Sequence, residues 1–237
     1  MALKAPPAAA EVLPVRLVFL GAAGVGKTAL IRRFLHDAFE PRHRRTVEEL
    51  HVLEMDLDPE PPGGYRPPAR RLRLRLEVLD TSGSYSFPAM RRLCIRHGDA
   101  FALVCSPHEP GSVEEAERLR REILEARRDA PPLVVAVNKS DLGPGTGTGG
   151  GGLAEELAET VEGRWGARCL PVSAKQNHNV AQLFRDLLAQ ARLPVGSLSP
   201  ALRRRSNPEV WPKEPAAEAT VAAARGGPVK RPSCTLC

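Results

Sequence analysis

The sequence predicts a three-layered α/β domain, with about six mostly parallel strands flanked by about five helices. Three observations carry that expectation. The short apolar runs VRLVFL (15–20), FALVCS (101–106) and LVVAV (133–137) suit central parallel strands covered on both faces. Stretches of helical spacing alternate with these runs, which is the signature of strand–helix–strand units. Finally, the first run ends at a glycine-rich turn that opens a helix, a junction suited to anions.

Taken in order, residues 1–13 are rich in Ala and Pro and read as a disordered extension. After the strand at 15–20, Thr28 to His36 has helical spacing, with Leu30, Ile31, Phe34 and Leu35 available to pack. A strand follows around Leu50–Leu57. DPEPPGGYRPPAR cannot continue a ladder and must be a loop. LRLRLEVLD (72–80) first alternates and then becomes apolar, as a strand entering a sheet does. Ser112 and Glu115 have capping-box spacing, opening a charged amphipathic helix through about Arg128. GPGTGTGGGG (143–152) is low-complexity. A helix near Leu153–Trp165, a strand at Cys169–Val172 and a helix at Asn179–Ala191 complete the domain, which spans 14–194. Residues 195–237 read as a flexible tail.

The chain has 237 residues, enough for one well-buried domain with tails. A net charge of +6 suits an acidic protein, a nucleic acid or an anionic membrane surface, and does not choose among them. Five cysteines with no framework spacing argue against a secreted disulfide scaffold. No apolar run is long enough for a transmembrane helix, and the N-terminus lacks a signal-peptide core. A cytoplasmic protein is expected, free or held at a membrane by other means.

Gly21-Ala22-Ala23-Gly24-Val25-Gly26-Lys27-Thr28 fits G-x-x-x-x-G-K-[ST], followed by Ala29, and lies between a strand and a helix as that motif requires. Glycines let backbone N–H groups curl around phosphate oxygens. Lys27 adds a charge to the β- and γ-phosphates, and Thr28 offers a hydroxyl to Mg²⁺. Asp80-Thr-Ser-Gly83 ends a strand, where Asp80 can hold Mg²⁺ and the Gly83 N–H can meet the γ-phosphate. Thr46 lies between the first helix and the second strand, placed to reach Mg²⁺ from the other side. Singly, a glycine loop, a DxxG turn or a loop threonine is commonplace.

At the other end, Asn138-Lys139-Ser140-Asp141 directly follows LVVAV. A carboxylate there accepts from guanine N1–H and the 2-amino group, and adenine would leave it unpaired at a cost. Ser173-Ala174-Lys175 follows the last strand, where the Ala174 N–H can meet guanine O6. The four motifs in this order point to a guanine nucleotide, GTP or GDP. They disfavour an adenosine-triphosphate-using P-loop enzyme.

These elements resemble the Ras family of small GTPases over about residues 15–193, which implies a P-loop NTPase G domain. The stretch DTSGSYSFPAMRRL (80–93) looks like the Dexras/Rhes branch and, more closely, the Ras-dva group, whose tail similarly contains an SPALRRR-type segment. The resemblance makes Arg42–Glu49, with Thr46, switch I and Asp80–Arg91 switch II, surfaces for effectors and for a possible exchange factor (GEF) and activating protein (GAP). It makes Phe39 the aromatic that packs against the base. Departures matter as well. Ser84 stands where the family has a water-orienting glutamine, and it is too short to reach the same water. Ala23 replaces a glycine, where a methyl crowds an incoming arginine finger. Ser82 replaces the usual alanine, His43 the tyrosine lid, and Arg42-His43-Arg44-Arg45 makes this loop basic. Slow hydrolysis follows, with Lys27, Thr46, Gly83 and Ser84 as the catalytic set; the alternative is a different hydrolytic residue, of this chain or of a partner. Two insertions, 59–70 and 143–152, spare the motifs.

Cys234-Thr-Leu-Cys237 has the C-a-a-X form, which in a Ras-like chain implies prenylation of Cys234. The competing readings are an inert tail or half of a zinc or redox CxxC site, and no second CxxC exists to complete zinc. With Lys230, Arg231 and Arg203–Arg205 as a modest basic supplement, reversible association with the plasma membrane is expected, alongside a cytoplasmic pool. A basic patch interleaved with aromatics, which would suit nucleic acid, is missing from the sequence. Two functions remain open. One is a monomeric switch enzyme, and the other a largely GTP-bound binding module controlled by abundance.

Overall fold

The computed structural model describes residues 11–42, 45–57, 72–83, 88–127, 129–142 and 157–191. All belong to one compact unit, Met1–Ser206; a second unit, Asn207–Cys237, lies outside the described residues. In chain order the elements are β1 (Glu11–Leu20), α1 (Lys27–His36), β2 (Glu49–Leu57), β3 (Leu72–Asp80), α2 (Pro88–His97), β4 (Ala100–Cys105), α3 (Ser112–Ala126), β5 (Leu133–Val137), α4 (157–164), β6 (Arg168–Pro171) and α5 (Val180–Gln190). The six strands form one sheet in the order β2-β3-β1-β4-β5-β6. Only β2 against β3 is antiparallel.

Alternation along each strand divides the core into two halves. Ala100, Ala102 and Val104 of β4 pack with Leu30 and Ile31 of α1 and Leu183, Phe184 and Leu187 of α5. Phe101, Leu103 and Cys105 face the other way, toward Ile95 of α2, Leu119 and Ile123 of α3 and Val161 of α4. Because β4 and β5 are covered on both faces, both are buried along their whole length, and this explains their unbroken apolar sequence. Phe34 stacks on Phe184 with ring centroids 3.6 Å apart, joining α1 to α5. Burial raises the Cys105 thiol to about 12 and the Cys169 thiol to about 11. Both should therefore resist iodoacetamide at pH 8 in the folded protein and react once unfolded, as peptide mass spectrometry would read. Because these folded values lie above that of an unfolded thiol, stability is lost as pH rises above about 9 toward 12.

Several sequence expectations need correction. β1 begins at Glu11, so Glu11–Leu13 are not part of a disordered extension; they pair with Leu72–Leu74 of β3. Pro14 is tolerated there because β4 pairs only with Leu17–Leu20, leaving one side of the strand free. The capping box at Ser112 does not form. Gly111 is the N-cap, and the Ser112 hydroxyl turns instead to the Ser106 backbone, donating to its carbonyl at 2.7 Å. Helix α2 was not foreseen, because Ile95 is its one buried residue and its apolar signal is weak. The expected helix at 153–165 is described from 157, and its end widens into a π turn closed by Trp165 N–H to the Thr160 carbonyl at 3.2 Å. The insertions 59–70 and 143–152 lie outside the described residues.

Candidate nucleotide site

The order of strands places the site. From β1 the chain crosses to β3 on one side and to β4 on the other, so the sheet changes winding direction between β1 and β4. Ligands bind in α/β sheets outside the carboxyl ends of strands at such a point. There the turn from Gly21 to Gly26 links β1 to α1. Gly26 has φ 98°, and a methyl on it would lie 2.3 Å from Asn138 Nδ2. Gly24 also has positive φ, at 79°. This curled backbone is followed at once by the N-terminus of α1, the pairing that suits phosphate.

One cavity of about 440 Å³ is lined by Ala23, Gly24, Gly26, Lys27, Thr28, Ala29, Thr46, Ser82 and Gly83, among others. Lys27 is buried and donates to the carbonyls of Gly21 at 2.9 Å and Ala22 at 2.8 Å. Desolvation lowers its ammonium to about 8, with Asp80 and then Glu115 opposing that fall. An incoming polyanion favours the charged form of such a lysine. Thr28 Oγ1 donates to Asp80 Oδ2 at 2.6 Å, which leaves Thr46 to donate to Thr28 Oγ1 at 2.7 Å. Asp80 is buried, its carboxyl pushed up chiefly by desolvation, and its Oδ1 has no hydrogen-bond partner. Two hydroxyls and an orphaned carboxylate oxygen thus converge, an all-oxygen donor set that fits Mg²⁺. The nearby Thr81 hydroxyl donates to the Phe19 carbonyl at 2.6 Å, pinning the end of β3 to β1.

A second cavity of about 460 Å³ shares Gly24, Gly26, Ala29 and Glu40 with the first, and adds Phe39, Asn138, Lys139, Asp141, Ala174 and Lys175. Asn138 bridges two motifs, donating to the Val25 carbonyl at 2.8 Å and accepting from Ala174 N–H at 3.2 Å. In this arrangement the Ala174 N–H is already engaged, so a base oxygen would have to share it with Asn138. The Asp141 side chain is 5% exposed; Ser173 Oγ donates to its Oδ1 at 2.6 Å and Lys175 Nζ lies 3.9 Å from its Oδ2. Phe39 is half-buried, packed on the core and forming one wall.

The structure thus brings together every expected binding residue from Gly21 to Lys175. Ser84, His43 and Cys234 lie outside the described residues. Sequence reasoning missed two positioning residues. Arg33 of α1 donates to the carbonyls of Ala174 at 2.9 Å and Lys175 at 3.1 Å, holding the last motif in place. Glu109 pairs with Lys139 across the mouth of the base cavity. No local pattern marks either residue, because Arg33 is 141 positions from Ala174.

The sequence profile of the Ras family matches residues 16–193. The chain belongs to the Ras family. Among its relatives, the human GTP-binding protein Rhes is 37% identical over 204 residues, covering 80% of this chain and 69% of that protein. The mouse GTP-binding protein Di-Ras2 is 35% identical over 175 residues, covering 73% of this chain and 79% of that protein. Ras-family proteins are small GTPases, and the sheet seen here, with one antiparallel pair and five helices, is their G domain. The resemblance to the Dexras/Rhes branch read from residues 80–93 agrees with the match to Rhes.

Proposed function

We propose that this chain binds GTP and GDP with Mg²⁺, hydrolyses GTP slowly and acts as a monomeric signalling switch. The observation that carries this reading is one continuous crevice with Lys27, Thr28 and Thr46 at one end, Asp80 hydrogen-bonded behind Thr28, and Asp141 at the other. Gly21–Ala29 would cradle the phosphates, Thr28, Thr46 and Asp80 would hold the metal, and Phe39, Asn138, Lys139, Asp141 and Ser173–Lys175 would hold the base. Mg²⁺, when bound, draws charge from the phosphate oxygens. Arg42–Glu49 and Asp80–Arg91 would present the effector surface and the surface for a GEF or GAP. A prenyl group on Cys234 would hold the protein reversibly at the plasma membrane. No helix among the described residues is long and apolar enough to cross a membrane.

Slow hydrolysis rests on Ser84 and Ala23. A methyl on Gly83 would lie 2.4 Å from the Ala23 nitrogen, so the P-loop and the start of switch II are in close apposition. The Ala23 methyl is exposed at this mouth, where a partner's arginine would enter. The same two residues favour the second reading, a largely GTP-bound module set by abundance. Preloading the protein with GTP·Mg²⁺ and following single-turnover conversion to GDP tests both readings, beside Ser84→Gln. A slow wild type and a faster variant are expected. Rapid hydrolysis by the wild type would make the chain a conventional switch that positions water by another group.

A further inference from the structure

Switch I contributes more charge to the phosphate cavity than the shared motifs require. Arg45 lines the cavity with Lys27, Thr28 and Gly83. It also lines a neighbouring cavity, of about 650 Å³, formed with Thr81, Ser82, Met90 and Leu119. The residues common to both are Arg45 to Glu48 with Ser82 and Gly83. Arg45 therefore stands where switch I meets the end of β3, the point at which the outermost phosphate and an attacking water would meet. The side chain of the next residue, Thr46, is hydrogen-bonded to the Thr28 hydroxyl at 2.7 Å.

Of the other cations of this cavity, Arg42 does not line the neighbouring one that Arg45 shares, and the remaining two are committed elsewhere. Lys27 turns to two carbonyls of its own loop. Arg32 on the outer wall pairs with Glu40 at 3.2 Å. Arg45 makes no ion pair with another described residue, although Glu48 and Glu49 share its wall. Arginine is always charged, and its planar fork matches the oxygens of a phosphoryl group.

We propose that Arg45 is an arginine finger supplied in cis, stabilising the charge that develops as the γ-phosphoryl group transfers to water. This rests on the nucleotide reading above. In the step, the bond from γ-phosphorus to the bridging oxygen breaks and its electron pair stays on the GDP β-phosphate. The water oxygen bonds to phosphorus, and its proton leaves with the phosphate product or passes to solvent. Arg45 neither gains nor loses a proton. The arrangement accounts for Ala23, because a chain carrying its own arginine has no need of room for a partner's. It is compatible with slow turnover, because charge stabilisation by Arg45 leaves unfilled the water-orienting role that Ser84 is too short to perform.

The test uses the full-length protein with Mg²⁺, a fluorescent methylanthraniloyl-GDP and fluoroaluminate, an anion that mimics the transferring phosphoryl group, with no second protein added. The wild type should bind the GDP analogue and respond further to fluoroaluminate. Arg45→Ala should keep its affinity for the GDP analogue within about threefold, lose the fluoroaluminate response and slow single-turnover hydrolysis by about tenfold or more, against the 10³–10⁵ of a fully engaged finger. Arg45→Lys should recover only part of both, whereas Arg121→Ala, a matched loss of charge on the exposed side of α3, should behave as wild type. Binding of GDP without a fluoroaluminate response in the wild type, or an undiminished response in Arg45→Ala, overturns the inference alone. Failure to bind GDP at all overturns the proposed function, and the inference falls with it.

Discussion

Asp141→Asn should lower affinity for guanine nucleotides by about 10²–10⁴-fold while raising that for xanthine nucleotides, because two charge-assisted hydrogen bonds of about 1.5–3 kcal/mol each are at stake. The carboxylate is almost fully enclosed and is held by the Ser173 hydroxyl at 2.6 Å, so it cannot swing away to recover water. An amide in its place offers a donor where guanine also presents donors, and a site built around buried polar groups rejects such a mismatch strongly. Xanthine carries a carbonyl where guanine has its 2-amino group, and so accepts from the amide. Competition of GDP and XDP against a fluorescent analogue reads both arms. Unchanged preference would mean that Asp141 does not face the base.

The second large effect is on folding. Gly21→Ala places a methyl 2.1 Å from the Val104 carbonyl oxygen, next to the last residue of the buried strand β4, at a φ of 148°. Neither partner is a flexible side chain, so backbone must shift, and a cost of about 3 kcal/mol or more is expected. At about 2–4 °C per kcal/mol for a domain of this size, the melting temperature should fall by about 6–12 °C. Gly111→Ala provides the comparison. Its φ is 74°, but nothing lies within 4 Å of the added methyl, so only the conformational strain of about 1–2 kcal/mol remains. If both variants melt alike, the close approach at Gly21 is not what limits that position.

The two glycines show how much of this protein local pattern reveals. Gly21 belongs to a motif whose spacing points to its role, whereas Gly111 is the N-cap in place of Ser112, whose hydroxyl bonds the Ser106 backbone. The capping-box spacing was present, but a tertiary partner outcompeted the local one. Likewise β1 was legible from Val15 onward by its apolar run, and its first residues were not. Glu11 to Pro14 are strand only because β3 lies alongside them, and sheet pairing joins residues far apart in the chain.

What the sequence by itself points to is the chemistry proposed for the site: residues suited to cradling phosphate, to an all-oxygen metal set and to guanine. These arise from short segments at strand ends, where function depends on a few adjacent residues and their order. What only the tertiary structure decided is how those segments are held together. Asn138 bridges the loop at Val25 to Ala174, and Arg33 reaches across from α1 to secure that same segment. Arg45 lines the same cavity as Lys27, next to Thr46, whose hydroxyl is bonded to that of Thr28. Such contacts span up to 142 positions, and chain folding alone brings the partners within hydrogen-bond reach.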